Sequence, residues 1–553
     1  MKLPLLFKPV LPRIEAAAGR AGLPGAGASS KPRPPLLAVA AGALVLVASL
    51  ANYLNHNAYP LLTPEAGLVA AALIVAAAAA GFVYAASGPL GRTLLEVLLC
   101  YLAFDLNFDG MGVVAATLIA ALALNRVLVP MLGIVAFVVL VTEIFAPFGS
   151  GMIEARTGPA PAANPAARNP DAPPLLHLVL DEHIGLEGLP GHLPEASKMR
   201  RELARFYSES GFRLFGGAYS EHLHTVNAIP HILNFGAAQP WRPGRKDGLA
   251  VEENAYFERL GELGYDLRLY QTDFVDYCAH PAVRSCKEYR AADLGPIAAS
   301  ALPAKDKAAL VLYGFLSLSE ATTAAGGLYD LVAWRARSYA VDLPMLLLDS
   351  RRRTSSAGAL VAFDRLIADL QHAQPGEAYF AHLLLPHYPY ATDRDCALKS
   401  PGSWQMRRSP MASWEERQLA YMDQLRCVTL KVALALEALA ASPAGSRSIV
   451  IVHGDHGSRI TTEDPGIETM DRLRDDDLVA SYSTLLAVRA AGIEAGYDAS
   501  RVPVARLLAA LAGSGFRSAS VELGADFVPS IVLEDLNWKP SRRHDLPDSW
   551  VNP

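Results

Sequence analysis

An Asp-His pair lies between two glycines directly after a short apolar run of the sequence. Residues 448–452 (SIVIV) have the composition of a buried strand, and residues 454–457 (GDHG) follow closely. Glycines on both sides would let the backbone turn so that Asp455 and His456 face one point. Carboxylate and imidazole ligands together suit a divalent cation of the zinc or manganese kind, whereas an all-oxygen set would suit calcium or magnesium. The segment therefore predicts part of a metal site.

Polar side chains also follow two other strand-like segments. LLHLVL (175–180) is followed by Asp181, Glu182 and His183, and HLLL (382–385) is followed by Pro386 and then His387. An acidic residue after one strand commonly caps the next helix, so Asp181 and Glu182 alone would leave that alternative open. Strands of a parallel sheet deliver their ends to one edge, where ligands bind in this class of fold. The three segments together predict one site of carboxylates and imidazoles.

A hydroxyl group that such a site could activate occurs in the segment 217–236 (GAYSEHLHTVNAIPHILNFG). Thr225 precedes apolar residues at helical spacing, and Pro230 is compatible with an early helical turn. A threonine directly before a helix is most often an N-cap, and this alternative stays open. In the functional alternative, a bound metal lowers the pKa of the Thr225 hydroxyl, which then attacks an electrophile.

The elements that would position these residues alternate between strands and helices. The predicted strands are 175–181, 265–272, 379–387, 448–454 and 484–490. The predicted helices are 194–211, 253–264, 359–373, 413–440 and 502–515. Such alternation predicts one α/β domain over residues 175–553, with a mostly parallel sheet covered by helices on both faces.

The amino-terminal part of the chain has a different composition. Hydrophobic residues make up 52% of the chain, mean hydropathy is +0.21, and charged residues are scarce between Leu36 and Phe148. The apolar runs are too long and too many for a signal peptide. We predict an α-helical membrane domain over residues 35–148 after a basic tail, 1–34. Its five spans fall near 36–54, 66–87, 92–108, 111–125 and 127–147.

Basic residues predict the orientation of these spans. Lysine and arginine lie before the first span, between the second and third, and between the fourth and fifth (Lys2, Lys8, Arg13, Arg20, Lys31, Arg33, Arg92, Arg126). The intervening loops, 55–65 and 105–112, contain neither residue. Because basic loops stay cytoplasmic, the amino terminus would be inside and everything after the fifth span outside. A Pro/Ala-rich linker, 149–174, would join the membrane domain to the exported α/β domain.

The cysteines agree with export of the α/β domain. Cys100 lies in a predicted span, and the exported part contains an even set of four. Pairing of Cys278 with Cys286 and of Cys396 with Cys427 is plausible in an oxidising compartment, with four reduced buried thiols as the alternative. The formal net charge of −6 is too mild to indicate a nucleic-acid partner. The oligomeric state is left open by the sequence.

The motifs resemble those of the alkaline-phosphatase/sulfatase superfamily. They comprise Glu182, Thr225 with Pro230 five residues later, 387–390 (HYPY) and 455–457 (DHG). Within the superfamily the chain is most similar to membrane-anchored phosphoethanolamine transferases and lipoteichoic-acid synthases, which have five spans and an extracytoplasmic domain of alkaline-phosphatase-like fold. The resemblance implies a protein of the bacterial plasma (inner) membrane with its catalytic domain outside.

Residue roles follow from the resemblance, position by position. It implies that one divalent ion, zinc or manganese, is bound by four residues (Glu182, Thr225, Asp455, His456). Thr225 would also be the nucleophile, and His387 would contact the phosphate or the leaving group. Asp181 could be a further ligand, because the first motif reads Asp-Glu-His instead of a lone Glu. The Cys or Ser followed by x-Pro-x-Arg of true sulfatases does not occur in the sequence, which disfavours sulfate-ester hydrolysis.

The reaction expected is phosphoryl transfer through a covalent threonine intermediate. A membrane phospholipid would donate phosphoethanolamine or glycerophosphate to an envelope lipid or glycan. His387 would protonate the leaving alcohol, with His382 or His453 in reserve. Arg459 could bind the phosphate or form an ordinary ion pair. The alternatives are a sulfatase-like phosphodiester or phosphomonoester hydrolase and a catalytically inactive envelope-binding protein. Walker, His-Glu-x-x-His and G-x-S-x-G motifs do not occur in the sequence.

Overall fold

The structure is a computed structural model of the 553-residue chain. It describes residues 35–107, 128–145, 154–156, 168–237, 249–251, 253–290, 293–319, 354–407, 412–523 and 526–547, with single helical positions between 323 and 336.

Four helices make up the described amino-terminal part. They are α1 (Pro35–His56), α2 (Pro64–Ala86), α3 (Pro89–Asp105) and α4 (Leu128–Phe145). By length and composition, two segments of the described chain could cross a membrane, Val39–His56 and Pro64–Ala86. The third and fifth predicted spans correspond to the shorter helices α3 and α4, and the fourth, 111–125, lies outside the described residues. Five spans therefore stay a prediction.

Helices α1, α3 and α4 run in the same direction. Asn107, just after α3, donates to Ser49 of α1 at 2.8 Å, and Asn55 of α1 donates to Glu143 of α4 at 2.8 Å. Their carboxyl ends therefore lie together. The backbone of Leu294 in the α/β domain donates to the carbonyl of Asn57, just beyond α1. The α/β domain thus contacts this end of the helices.

Nine strands form the central sheet. In chain order they are β1 (Glu154–Arg156), β2 (Leu175–Leu180), β3 (Arg213–Phe215), β5 (Asp266–Thr272), β7 (Val283–Tyr289), β8 (Glu377–Leu383), β9 (Ile449–His453), β10 (Leu486–Arg489) and β11 (Gly496–Asp498). Two small pairs lie outside it, β4 (Leu249–Ala250) with β6 (Val275–Asp276), and β12 (Ser530–Glu534) with β13 (Pro540–Asp545).

The sheet is mixed but mostly parallel. Its strand order is β1-β7-β5-β8-β2-β9-β10-β3-β11, and the five strands from β7 to β9 are all parallel. Antiparallel pairing joins β1 to β7, and β10 to both β9 and β3. Every residue of the central strand β2 is buried, as expected for a strand with both faces covered. β1 lies within the predicted linker, so part of that segment belongs to the sheet.

Helices cover both faces of the sheet, as the sequence predicts. They are α5 (Pro194–Glu209), α6 (Thr225–Leu233), α7 (Ala255–Glu262), α8 (Gly295–Ala299), α9 (Ala304–Leu316), α10 (Ser355–Leu370), α11 (Trp414–Ala441), α12 (Asp475–Tyr482) and α13 (Val504–Gly513). One large core cluster lies under α5, α10 and α11, and the other lies under α6, α7 and α13. α11 begins with a capping box formed by Ser413 and Glu416.

Both expected disulfides are present. Cys278 pairs with Cys286 of β7, and Cys396 pairs with Cys427 of α11. Cys100 is a free, buried thiol in α3. The second disulfide attaches the chain that follows β8 to α11, close to the edge where β2, β8 and β9 end.

Candidate metal centre and active site

Three neighbouring parallel strands carry the site. Val179 of β2 is paired in register with His382 of β8 on one side and with His453 of β9 on the other. Since side chains alternate along a strand, Asp181 and Asp455 continue the same face two residues beyond this row. The sheet register therefore brings the Asp181 and Asp455 carboxylates and the His382 imidazole together from three distant parts of the chain.

Asp181, Asp455 and His456 form a compact group. One candidate ligand atom from each lies within 4.8 Å of the others. The Thr225 hydroxyl joins the group: its Oγ1 donates to Asp455 Oδ2 at 2.8 Å and lies 3.4 Å from both Asp181 Oδ2 and His456 Nε2. A tetrahedral ion with bonds of about 2.0–2.1 Å would separate its ligands by roughly 3.3 Å. The contacts of Thr225, at 2.8–3.4 Å, and those of His456 with Asp455 and Asp181, at 3.4 and 3.8 Å, lie around that value.

The burial and charge of this group also fit a bound cation. Asp181, Asp455 and His456 are at most 1% exposed, and Asp181 Oδ1 has no hydrogen-bond partner among the described residues. Burial and the neighbouring Asp181 raise the pKa of Asp455. Although burial opposes the ionised form of Asp181, the charges of His387, His456 and His382 lower its pKa. Two buried carboxylates in contact distance need a compensating positive charge, which a divalent ion would supply.

Thr225 does not act as the cap of its helix. It is the first residue of α6, and the N-cap position is taken by His224, whose side chain makes no capping hydrogen bond. The Thr225 side chain is therefore directed to Asp455 instead of to the backbone of α6, and the residue remains 7% exposed. The amino-terminal end of α6 places partly positive N–H groups beside the hydroxyl, which favours an anionic ligand there.

Glu182 lies beside this group and is held by Arg459. Both Arg459 Nε, at 3.0 Å, and a terminal Arg459 nitrogen donate to Glu182 Oε1, and both residues are buried. Both have a positive φ, +63° for Glu182 and +53° for Arg459, in the left-handed region that such residues rarely adopt. Burial would raise the pKa of Glu182, but His387, Arg459 and His456 lower it. As a metal ligand Glu182 stays a prediction, because the compact group contains Asp181.

The three candidate proton donors have different surroundings. His387, which is 8% exposed, lies with Nε2 3.8 Å from Glu182 Oε1, while its Nδ1 contacts the Tyr388 carbonyl. His382 is fully buried, with Nε2 3.6 Å from Asp181 Oδ2. His453 points into the core, where burial lowers its pKa to about 4. His387 thus has the most accessible ring, and all three catalytic or binding roles stay predictions.

The two glycines of the GDHG segment are required for close packing. A Cβ at Gly454 would lie 2.4 Å from the His183 carbonyl oxygen, and one at Gly457 would lie 2.2 Å from the Ala480 carbonyl oxygen. The sequence predicts that these glycines let the backbone turn. Their role in the structure is instead to let Asp455 and His456 lie tightly against neighbouring backbone.

Sequence reasoning missed several residues around the site. Arg407 is mostly buried, with its guanidinium over the Tyr388 ring and 3.6 Å from Asp464, and burial together with Arg459 lowers its pKa. Gln424 of α11 holds the backbone that carries His387. Neither residue belongs to a recognisable motif, and both come from segments distant in sequence from the strand ends, so no local signal identifies them.

A second missed feature is the pairing of His224 with Glu534 of β12. His224 Nδ1 lies 2.5 Å from Glu534 Oε2, and the His224 ring stacks on Trp538 at 4.8 Å. Glu534 is 2% exposed; burial would raise its pKa, but hydrogen bonds from His222 and His224 lower it to about 2. The β12–β13 hairpin thus forms one wall beside Thr225.

The chain was compared with known proteins. No protein-family model matches it, and no curated protein matches it in sequence. Similar solved structures include the C-terminal periplasmic domain of EcEptC from Escherichia coli in complex with Zn, at 12% identity and a TM-score of 0.37, covering 71% of this chain and 95% of that one. The phosphonate monoester hydrolase of Agrobacterium radiobacter has 12% identity and a TM-score of 0.37, covering 66% and 81%. BT1596, a 2-O GAG sulfatase, has 12% identity and a TM-score of 0.34, covering 64% and 72%.

The similar structures also include a protein in the alkaline phosphatase superfamily from Vibrio parahaemolyticus, at 11% identity and a TM-score of 0.37, covering 66% and 74%. These are the kinds of protein that the motifs resemble. Because all of these likenesses are distant, the function proposed below is based on the side chains of the site.

Proposed function

We propose that the protein is a metal-dependent phosphoryl-group transferase with Thr225 as its nucleophile. The main support is the contact of the Thr225 hydroxyl with Asp455 Oδ2 at 2.8 Å, inside a group that also contains Asp181 and His456. A threonine with a purely structural role is satisfied by one hydrogen-bond partner and would not be surrounded by two carboxylates and an imidazole. A nucleophilic threonine must lose its proton and attack a phosphate, and such surroundings can support both steps.

The proton and bond changes can be assigned to groups of the chain. Asp455 Oδ2 accepts the proton of the Thr225 hydroxyl as its oxygen forms a bond to phosphorus. The bond between phosphorus and the leaving alcohol breaks, and that alcohol takes a proton from His387. The acceptor hydroxyl then attacks the phosphothreonine and transfers its own proton to His387, while the bond between phosphorus and the Thr225 oxygen breaks and that oxygen takes its proton back from Asp455. With a lipid or glycan acceptor the reaction is a transfer; with water it is hydrolysis.

Asp181, Asp455, His456 and Thr225 would hold the divalent cation. Three oxygens and one nitrogen at tetrahedral separations favour zinc, with manganese as the alternative. When bound, the ion would lower the pKa of the hydroxyl and neutralise charge on the phosphate. The amino-terminal end of α6 adds a favourable field at the same point.

Two arginines support the binding of an anionic group beside Glu182. Contacts with Glu182 hold the Arg459 guanidinium in one direction. Burial and the charge of the neighbouring Arg459 lower the pKa of Arg407. Two guanidinium groups side by side in a mostly buried position favour an anion between them and the metal group. We assign this position to the non-bridging oxygens of the transferred phosphate.

A lipid donor would explain why the site is joined to apolar helices. α1 and α2 are the two described helices that contain a segment long and apolar enough to span a bilayer. The carboxyl end of α3 and the amino end of α4 lie at opposite ends of the bundle. A fourth span between α3 and α4 would connect them. We propose five spans in a bacterial plasma membrane, with the amino terminus cytoplasmic and the α/β domain outside. The donor would carry phosphoethanolamine or glycerophosphate, and the acceptor would be an envelope lipid or glycan.

The test is to trap the covalent intermediate. The full-length protein, reconstituted in vesicles, would be incubated with head-group-labelled phosphatidylethanolamine or phosphatidylglycerol, and the peptide containing Thr225 would be mapped by mass spectrometry. We expect a phosphoethanolamine or glycerophosphate adduct on Thr225. Thr225→Ser should keep a measurable adduct, and Thr225→Ala should have none.

The outcome also separates the alternatives. Label released only as free head group identifies a hydrolase, and label on a second lipid or glycan identifies a transferase. An envelope-binding protein without catalysis would retain the lipid unchanged and give no adduct. An adduct of equal yield in Thr225→Ala would contradict the assignment of the nucleophile.

A further inference from the structure

A cavity of about 470 Å³ lies between α8, α9, α10 and the loop that carries Cys396. Most of its lining residues are apolar, among them Pro296, Ala299, Leu302, Ala357, Leu360 and Val361. This volume falls within the range of about 300–1,000 Å³ that is typical of small-ligand sites. The cavity is separate from the group of Asp181, Thr225, Asp455 and His456, none of which lines it.

One side of this cavity adjoins the apolar amino-terminal helices. Leu302 and Ala357 line it and also belong to a buried cluster that extends from α8 and α9 to α1 and α2. In that cluster, α9 contributes Leu310, Val311 and Phe315, and α2 contributes Ala66, Val69 and Leu73. At 1.5 Å per residue, this contact follows α2 for about 10 Å. The cavity therefore lies where the α/β domain meets helices of membrane-spanning character.

The other side adjoins the loop of the candidate active site. Ser356 precedes the lining residue Ala357, and its hydroxyl donates to the Pro389 carbonyl at 2.7 Å and lies 3.4 Å from the His387 carbonyl. Cys396, at the opposite wall, is joined to Cys427, one turn beyond Gln424. Gln424 donates to the carbonyls of Pro386 and His387 at 2.9 and 3.0 Å. Both walls are thus fixed to the segment that carries His387.

We propose that this cavity holds an acyl chain of the lipid whose head group reacts at Thr225. The proposal builds on the function proposed above. The lining is mostly apolar, one wall shares a buried cluster with α1 and α2, and the other walls are fixed to the segment that carries His387. A lipid tail fits these three observations, because it is apolar, it would lie in the bilayer beside α2, and it is covalently attached to the head group that would react at Thr225. The cavity would then select long-chain donors and position the phosphate.

Filling the cavity tests this assignment. Ala299 and Ala397 are exposed lining residues, so Ala299→Trp and Ala397→Trp would occupy the space without disturbing the core. Ala368→Trp, on an exposed position of α10 outside the cavity, is the matched control. Each full-length protein would be assayed with the long-chain phospholipid that the wild type turns over and with a water-soluble p-nitrophenyl phosphodiester. We expect at least a tenfold lower kcat/KM for the lipid in both cavity variants and unchanged turnover of the soluble ester.

The outcomes distinguish the cavity from the reaction. Lipid turnover equal to that of Ala368→Trp would overturn the acyl-chain site while leaving the reaction intact. A wild type that turns over neither substrate contradicts the proposed function. In that case a phospholipid with a photoreactive diazirine at the end of one acyl chain still tests the cavity: cross-links should map to 296–302, 357–361 or 396–400. Cross-links confined to α1 to α4 would overturn the proposal.

Discussion

Replacing Asp181 by Asn should remove most of the stabilisation that a bound cation gives. The change keeps the shape of the side chain and removes one of the two carboxylates that contact Thr225 Oγ1. Asp181 Oδ1 has no hydrogen-bond partner among the described residues, so Asn loses little besides the interaction with the ion and the neighbouring imidazoles. The comparison is made between metal-loaded and metal-free protein for each variant, so that effects on the metal-free state cancel.

The magnitude follows from linkage. At a free zinc concentration of about 100 times Kd, binding raises the free energy of unfolding by about 2.7 kcal/mol. A domain of more than 250 residues gains no more than about 2 °C in Tm per kcal/mol, so the wild-type shift should be about 5 °C. Loss of a ligand should weaken binding by at least about 100-fold, the upper range for outer-shell changes, and leave about 0.4 kcal/mol, or about 1 °C.

The assay is thermal unfolding of the full-length protein in detergent, followed by intrinsic fluorescence after removal of metal and again after addition of zinc or manganese. Asp471→Asn, at an exposed position, is the control and should keep the full shift. Equal shifts in the wild type and Asp181→Asn would refute the assignment of Asp181 as a ligand. A shift lost in Glu182→Gln but kept in Asp181→Asn would transfer that role to Glu182.

Three further predictions concern the surroundings of the site. Gln424→Leu removes the donors to the Pro386 and His387 carbonyls and an acceptor for the Ala391 N–H, so transfer activity should fall at least tenfold, with a steeper loss in kcat than in KM. Gln424→Glu keeps the acceptor for Ala391 but cannot donate to the two carbonyls, so it should lose activity as well; wild-type kcat in either variant would contradict this role. Arg459→Ala leaves the Glu182 carboxylate buried without the guanidinium that neutralises it. The free energy of unfolding, measured by chemical denaturation, should fall by about 3–5 kcal/mol. The double variant Arg459→Ala/Glu182→Gln should partly reverse this loss. The pKa of Glu534 is lowered to about 2, so the ionised form of Glu534 stabilises the fold at pH values above its ordinary pKa of about 4.5, and this contribution is lost as pH falls toward 2. The free energy of unfolding, measured between pH 5 and 3, should therefore depend less on pH in Glu534→Gln than in the wild type. An unchanged slope would show that another group titrates.

The parallel centre of the sheet could be predicted because its strands are continuous apolar runs. β2 and β9 are buried along their whole length, and each ends in a polar segment that has no place in a core. The rule that parallel strands deliver their ends to one edge then brings Asp181 and Asp455 together without further information. Thr225 could be located because a helix with apolar spacing begins there. The hydrophobic pattern therefore predicts a site residue where it identifies both a strand or helix and the residue at which that element begins or ends.

The periphery could not be predicted, since its contacts depend on the assembled fold. β10 corresponds to a predicted strand, but nothing local indicates that it pairs antiparallel with β9, and the three-residue strand β3, on its other side, is not among the predicted strands. The β12–β13 hairpin contributes Glu534 from more than three hundred residues away to a histidine that precedes the nucleophile. Arg407 reaches the site from a loop with no strand or helix pattern. Long-range side-chain contacts of this kind leave no periodic signal in the sequence.

Strand alternation distinguishes Asp181 from Glu182. Side chains alternate along β2, so residues 177, 179 and 181 share the face on which His382 and His453 flank Val179. A continued strand would direct Glu182 to the opposite face, away from Thr225. The left-handed backbone at Glu182 ends the strand, while the Tyr421 hydroxyl donates to the Glu182 carbonyl at 2.6 Å and accepts from the Ile184 N–H. Alternation thus favours Asp181 as the ligand, and the turn leaves Glu182 to hold Arg459, for which we propose contact with the phosphate.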